Sequence, residues 1–274
     1  MTSSDLSLAR RWLVARVRMT LRNPRAVIFT FAFPIVLLVL FNALNGTTMV
    51  TSAGGKVPFT QFYTPAIGVF SLVTACYTTV ILALATARDE GLFKRVRGTP
   101  LPMGTYLGTY LLSAVLVGLA GVVAMFVISV PAFGVDIYAR MVPAAIVTLV
   151  FGALCLATIG VAVASLVKTA DQAMPVAQFT FLPISFISGI WYPLDGAPSW
   201  LQHLAHFFPL YHIAHAFERC FVPSTSGGGW SGNDLLVIAI WGALAGFVAV
   251  RRFRFETSEG AGGRRRLALL GSRG

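Results

Sequence analysis

The chain has 274 residues, 56% of them hydrophobic and only 11% charged, and its formal net charge is +11. A soluble domain carries about a quarter charged residues, and the apolar residues here lie in long uninterrupted runs, so the composition excludes an ordinary soluble globular domain. The basic balance does not mark a nucleic-acid binder either, because the Lys and Arg lie at the ends of apolar runs and no interleaved aromatic-basic patch is present.

In chain order, residues 5–23, "DLSLARRWLVARVRMTLRN", come first. Arginines alternate there with Trp12, Leu13, Val17 and Leu21, the pattern of an amphipathic helix lying in a membrane interface. The basic region is long and no clean small-x-small site follows the apolar run after it, so it reads as an anchor kept in the protein rather than a cleaved signal. Six stretches free of Asp, Glu, Lys, Arg and His then predict membrane spans at about 27–44, 62–87, 105–133, 141–167, 173–190 and 235–250. Placing the N-terminus in the cytoplasm puts 18 of the 21 Lys and Arg on that side and leaves Lys56, Arg140 and Arg219 opposite. The positive-inside rule therefore predicts that both termini are cytoplasmic.

Prolines at 34, 65, 143, 175 and 183 fall inside or at the ends of the spans, where neighbouring helices can satisfy the carbonyls they free. Gly104/Gly108 and Gly242/Gly246 form GxxxG pairs, read as close-packing sites. Cys76, Cys155 and Cys220 show no CxxC spacing and imply neither a disulfide framework nor a zinc site.

The stretch 87–102, "ARDEGLFKRVRGTPLP", interrupts the apolar pattern between spans 2 and 3. Asp89 is placed to cap a short helix, Glu90 and Lys94 form an i, i+4 pair, and Leu92, Phe93 and Val96 make an apolar patch beside Arg95 and Arg97. Gly98 and Thr99-Pro100 stop the helix. Topology explains Arg88, Lys94, Arg95 and Arg97, but it does not require the acidic start, the Leu-Phe knobs or the stop. Those features fit a docking element for a groove on a partner protein.

Residues 191–233 form the long outer segment. Two short helical patterns, about 199–208 and 210–221, are each half the length of a span and are separated by Pro209. His203, His206, His212 and His215 read as HxxH twice, with Glu218 as the nearby acid. Without a carboxylate motif such as HExxH they read first as polar side chains in an aromatic interface. No phosphate-loop motif GxxxxGK[ST] occurs, and "SAGGKV" at 52–57 lacks its spacing, so any ATP must be bound by another chain. The predicted spans hold no ionisable side chain, which argues against proton coupling within them.

"RDEGLFKRVRGTPLP" resembles the cytoplasmic segment of ABC-2 type transporter permeases, matched in order by Asp89, Gly91, Arg95-Val96 and Thr99-Pro100. The family usually has Glu at Asp89 and Leu at Val96. "ISGIWYPLDGAPSWLQHLAHFFPLYHIAHAFERCF" at 187–221 is similar to the family's segment before its last span, and "TLRNPRAVIFTFAFPIVLLVLF" at 20–41 resembles its first helix. The resemblance implies an all-α membrane protein. An interfacial helix would occupy residues 1–26, a six-helix domain 27–250 and a basic cytoplasmic tail 251–274. Short re-entrant helices would lie in the outer segment 191–233. It further implies a multi-pass protein of the bacterial inner membrane, the membrane subunit of a drug-, antibiotic-, lipid- or glycan-exporting system. Two permeases, identical or related, would surround the path, each with a separate ATPase subunit that holds ATP and Mg. No cofactor would reside in this chain and no nucleic acid would bind. Segment 88–100 would be the coupling helix, through Asp89, Glu90, Gly91, Leu92, Phe93, Arg95, Val96, Thr99 and Pro100. Trp191, Tyr192, Pro193, Trp200, Phe207, Phe208 and Tyr211 would form the outer gate or substrate path. Two other classes stay open at this point: an ion-driven carrier, and a membrane metalloenzyme built on the four histidines.

Overall fold

The computed structural model describes residues 3–92, 103–225 and 227–252. Helix α1 is Ser3–Arg22, and α2, Pro24–Val27, continues through a π turn, Ile28–Ala32, into α3, Phe33–Asn45. A hairpin of β1, Met49–Ser52, and β2, Gly55–Pro58, follows. Helix α4, Phe59–Val73, runs through a second π turn, Thr74–Thr78, into α5, Thr79–Asp89. Then come α6, Met103–Phe133, α7, Val142–Ala164, and α8, Ala170–Ile187. The short α9, Ser199–Phe207, and α10, Pro209–Glu218, precede α11, Gly232–Arg252.

Among the described residues five helical segments are long and apolar enough to cross a membrane: Ile28–Asn45, Phe59–Asp89, Leu107–Phe133, Ala139–Ala164 and Gly227–Arg251. Helix α8, where the sequence predicts a fifth of six spans, has 18 residues but carries Asp171, Gln172, Gln178 and two prolines, which lower its apolar character. The hairpin is an addition to the all-helical expectation. Its strands pair Val50 with Val57 around a two-residue turn in which Ala53 (φ 50°) and Gly54 (φ 76°) are both left-handed. The "SAGG" read as a faint phosphate-loop echo is this turn. The break between α9 and α10 falls where expected: Phe208 is extended before Pro209, which takes the first turn of α10.

The core is organised around α4. Every residue from Phe59 to Thr78 is buried, and α3, α6, α7 and α10 pack around that stretch. Burial on all sides requires close approach, which small residues on the neighbours provide. A Cβ on Gly121 of α6 would overlap Ser71 Oγ, and one on Gly118 would lie 2.9 Å from Leu72 Cδ1. A Cβ on Gly160 of α7 would lie 3.2 and 3.1 Å from the carbonyl oxygens of Cys76 and Tyr77. The GxxxG pairs serve less than the sequence predicts. Gly242 meets Cys155, but nothing lies within 4 Å of a Cβ on Gly108 or Gly246.

Ser71 also answers a cost of Pro34. Proline has no N–H to donate to the carbonyl of Thr30 four residues earlier, and in an apolar environment that oxygen needs another donor. Ser71 Oγ donates to the Thr30 carbonyl at 2.6 Å. Polar bridges recur along the core: Thr64 Oγ1 donates to Ser129 Oγ at 3.1 Å, and the hydroxyls of Tyr77 and Thr180 lie 2.6 Å apart, joining the second π turn to α8.

Gly121→Ala is expected to displace Ser71, unpair the Thr30 carbonyl and cost about 1–3 kcal/mol. The penalty is expected to shrink in a Ser71→Ala background. A double-mutant cycle of denaturant unfolding in detergent checks this; strictly additive effects would contradict the contact.

Candidate functional site

Two polar regions stand out, one at each end of the bundle. The first lies where α5 ends. The helix runs unbroken through Asp89, Glu90 forms its cap, and Gly91 at φ 65° supplies the left-handed residue that stops it. Glu90 N–H donates to the Thr86 carbonyl at 3.0 Å and Gly91 N–H to the Arg88 carbonyl at 3.1 Å. Asp89 therefore does not start a separate short helix as the spacing predicts. Its Oδ2 instead accepts the N–H of Ala170 at 2.6 Å, capping the first turn of α8 from 81 residues away. The negative charge also suits the positive end of that helix.

Its neighbour acts on the preceding helix. Arg88 Nη1 donates to the carbonyls of Val167 at 2.6 Å and Ala164 at 3.3 Å, where α7 ends and its last carbonyls lack helical partners. Consecutive residues of α5 thus hold both sides of the turn between α7 and α8. Topology alone accounts for Arg88 in the sequence, and this second role is invisible there. Leu92 packs half-buried against a small cluster that includes Val80, Leu84 and Ala164. Phe93, Lys94, Arg95, Val96, Thr99 and Pro100 lie outside the described residues, and with them the Glu90–Lys94 pair and the apolar patch.

The second region is segment 191–233, which the charge distribution predicts to be outer. Its seven predicted aromatic and proline residues have different surroundings. Trp191 is half-buried beside Pro193, stacks on Phe186 at 5.6 Å between ring centres and donates to Ser185 Oγ at 3.2 Å. Phe207 and Phe208 meet edge to face, and Phe207 meets Trp241 of α11, whose Nε1 donates to the Phe207 carbonyl. Tyr211 stacks on His215 at 5.4 Å. Trp200 and Tyr192 are exposed.

The histidines also divide. His203 Nδ1 lies 2.7 Å from the Ser199 carbonyl on an exposed face. His212 and His215 both direct Nδ1 to the two oxygens of Asp234, at 2.6 and 2.9 Å. The acid partner is thus Asp234 of α11, not Glu218 as proximity in sequence indicates. Among the described residues no group of three His, Cys, Asp or Glu is arranged to hold a metal ion. Glu218 points elsewhere. It is buried, and its Oε2 accepts a hydrogen bond from Ser52 Oγ of β1 at 3.3 Å. Burial pushes its carboxyl well above the usual range.

Residues 10–221 match the family model "ABC-2 type transporter". The chain belongs to that family. It is also similar to the "Inner membrane transport permease YadH" of Escherichia coli K12, at 23% identity over 229 residues, 83% of this chain and 86% of the relative. The protein of that name from Shigella flexneri matches to the same extent. As an ABC-2 chain it is a transporter membrane component, and its apolar helices mark an integral membrane protein. The family segment expected to start at residue 88 opens on the Arg88–Asp89 clamp.

Arg88→Met is expected to leave the Ala164 and Val167 carbonyls without this donor and cost about 1–3 kcal/mol. Arg88→Lys should recover part of the loss and Lys168→Met, at an exposed position of the same turn, almost none. Thermal unfolding of the purified variants and proteolysis within 165–169 measure this; an unchanged Arg88→Met would refute the clamp.

Proposed function

We propose that this chain is the permease subunit of an ATP-driven exporter. It spans the membrane six times with α8 as the fifth span, keeps both termini in the cytoplasm and works as a dimer with a separate ATPase subunit. The positive-inside charge distribution supports the orientation. The observation that carries the mechanism is the double attachment at Arg88 and Asp89. A push on the segment beyond Gly91 reaches α5 directly, and the same two residues deliver it to the ends of α7 and α8. A continuous helical path from Asp89 back to Phe59 then carries it to the opposite end of the bundle. Asp89, Glu90, Gly91, Leu92, Phe93, Arg95, Val96, Thr99 and Pro100 are the proposed contact set for the ATPase. This chain performs no hydrolysis; ATP and Mg belong to the partner.

An amphipathic or lipid-like substrate is supported by an apolar groove of about 550 Å³ between α6 and α7, whose walls include Phe126, Val130, Ile146, Leu149 and Phe221. The volume falls in the usual range for small-molecule sites. Trp191, Tyr192, Pro193, Trp200, Phe207, Phe208 and Tyr211 are proposed to guide substrate at the outer end.

Replacing Leu92 and Phe93 together by Ser is expected to leave a folded, membrane-inserted protein that no longer co-purifies with its ATPase or stimulates it. Unchanged association and transport would overturn the coupling assignment. Transport that survives loss of the ATPase but collapses with the proton gradient would instead identify an ion-driven carrier.

A further inference from the structure

Helix α10 is fastened on two sides by groups that exchange protons. On the first side it meets α11. His212 Nδ1 donates to Asp234 Oδ1 at 2.6 Å, His215 Nδ1 donates to Oδ2 at 2.9 Å, and the Ser231 hydroxyl donates to Oδ2 as well. His212 Nε2 lies 2.9 Å from the carbonyl oxygen of His206. Both ring nitrogens of His212 therefore face acceptors, a carboxylate and a carbonyl. A neutral imidazole has one N–H, so only the imidazolium donates to both. The pair is enclosed, with each side chain 5% exposed.

On the second side α10 meets the hairpin between the first two predicted spans. Glu218, at the last turn of α10, is 7% exposed and receives the Ser52 hydroxyl. Its Oε1 has no hydrogen-bond partner. A buried carboxylate is stable only when paired or multiply hydrogen-bonded. One hydroxyl does not meet that need, so the acid sits there neutral. The remaining groups near α10 do not alter this. Helix α9 contributes His203 and His206, the turn Leu194–Gly196 contributes Asp195, and the turn after α10 contributes Arg219 and Cys220. Tyr211 lies on α10 itself, the hairpin carries Lys56 with its side chain exposed, and α4 and α7 carry no charged residue. Asp195 disfavours a second negative charge at Glu218.

We propose that α10 is a proton-dependent latch: imidazolium His212 locks it to α11 through Asp234, neutral Glu218 lets its other end bury against the hairpin, and rising pH at that face releases both. The two sites act in the same direction. For His212, burial lowers the proton affinity, but the hydrogen bonds to Asp234 and to the His206 carbonyl outweigh it, and the pKa is raised on balance. Its contribution is complete below the ordinary histidine value and disappears as pH rises through the raised one. For Glu218, burial raises the value, so the docked form loses stability from the ordinary carboxylate range upward until the acid ionises. The outer end of the bundle is thus closed most firmly in acid, whatever drives the transport cycle.

Hydrogen exchange of the full chain in lipid nanodiscs tests this, with rates at pH 5.5, 7 and 8.5 divided by the intrinsic rate at each pH. Peptides within 209–221 are expected to lose protection by about tenfold or more across this range, since release of a single linked proton changes an equilibrium about tenfold per pH unit. Peptides of α7 should hold theirs. Glu218→Gln, isosteric and permanently neutral, should retain protection to higher pH. His212→Gln should lower protection at pH 5.5 and flatten the dependence that remains. Equal protection of 209–221 at all three values in the unsubstituted protein would overturn the latch. So would an unaltered pH profile in Glu218→Gln.

Discussion

The bundle depends on burying one helix on every side. From Phe59 to Thr78 no residue of α4 or the π turn after it is exposed. Lipid supplies no hydrophobic force to press helices together, so such an arrangement rests on close packing and on polar groups that find partners inside the protein. Gly118, Gly121 and Gly160 provide the first requirement. Ser71, Thr64 and Tyr77 provide the second, each at a point where another helix presents an oxygen. The central helix is therefore held by several neighbours at once, and a displacement of either of its ends is felt across the bundle.

That arrangement gives meaning to the two polar regions. At one end Arg88 and Asp89 terminate the central helical path and fasten the turn between α7 and α8. At the other, α10 packs against α4 and α7 and is tied to α11 by Asp234 and to the hairpin by Glu218. Both regions use the same device, a charged or titratable group that meets a partner on a different element. A group of this kind makes a discrete contact that is either formed or lost, as a two-state movement requires.

The local parts of this picture were legible in the sequence. The apolar runs located the five long helices, since span length is set by the bilayer. Pro209 located the break between α9 and α10 through its own backbone geometry. The expected fifth span was less legible, because Asp171, Gln178 and the prolines of α8 weaken the signal of apolarity. What escaped was long-range. Asp89 reads locally as the cap of a following helix, but it caps one 81 residues on. Glu218 is the acid nearest the histidines in sequence, while Asp234 is the one their rings face. The glycines that matter most do not stand in GxxxG pairs; their partners are Ser71, Leu72 and the carbonyls of a π turn. A π turn leaves little trace in hydropathy, and the hairpin showed only as a glycine pair.

If Arg88 and Asp89 transmit movement, the segment after α5 must move together with the turn between α7 and α8. Spin labels at exposed positions Glu90 and Lys168, in a chain whose three buried cysteines have been replaced, report that distance directly. A second pair, at Glu90 and Arg140, reports movement relative to the opposite end. In the assembled transporter, ATP is predicted to change the Glu90–Arg140 distance while leaving Glu90–Lys168 fixed. A Glu90–Lys168 distance that changes on ATP binding would contradict the account.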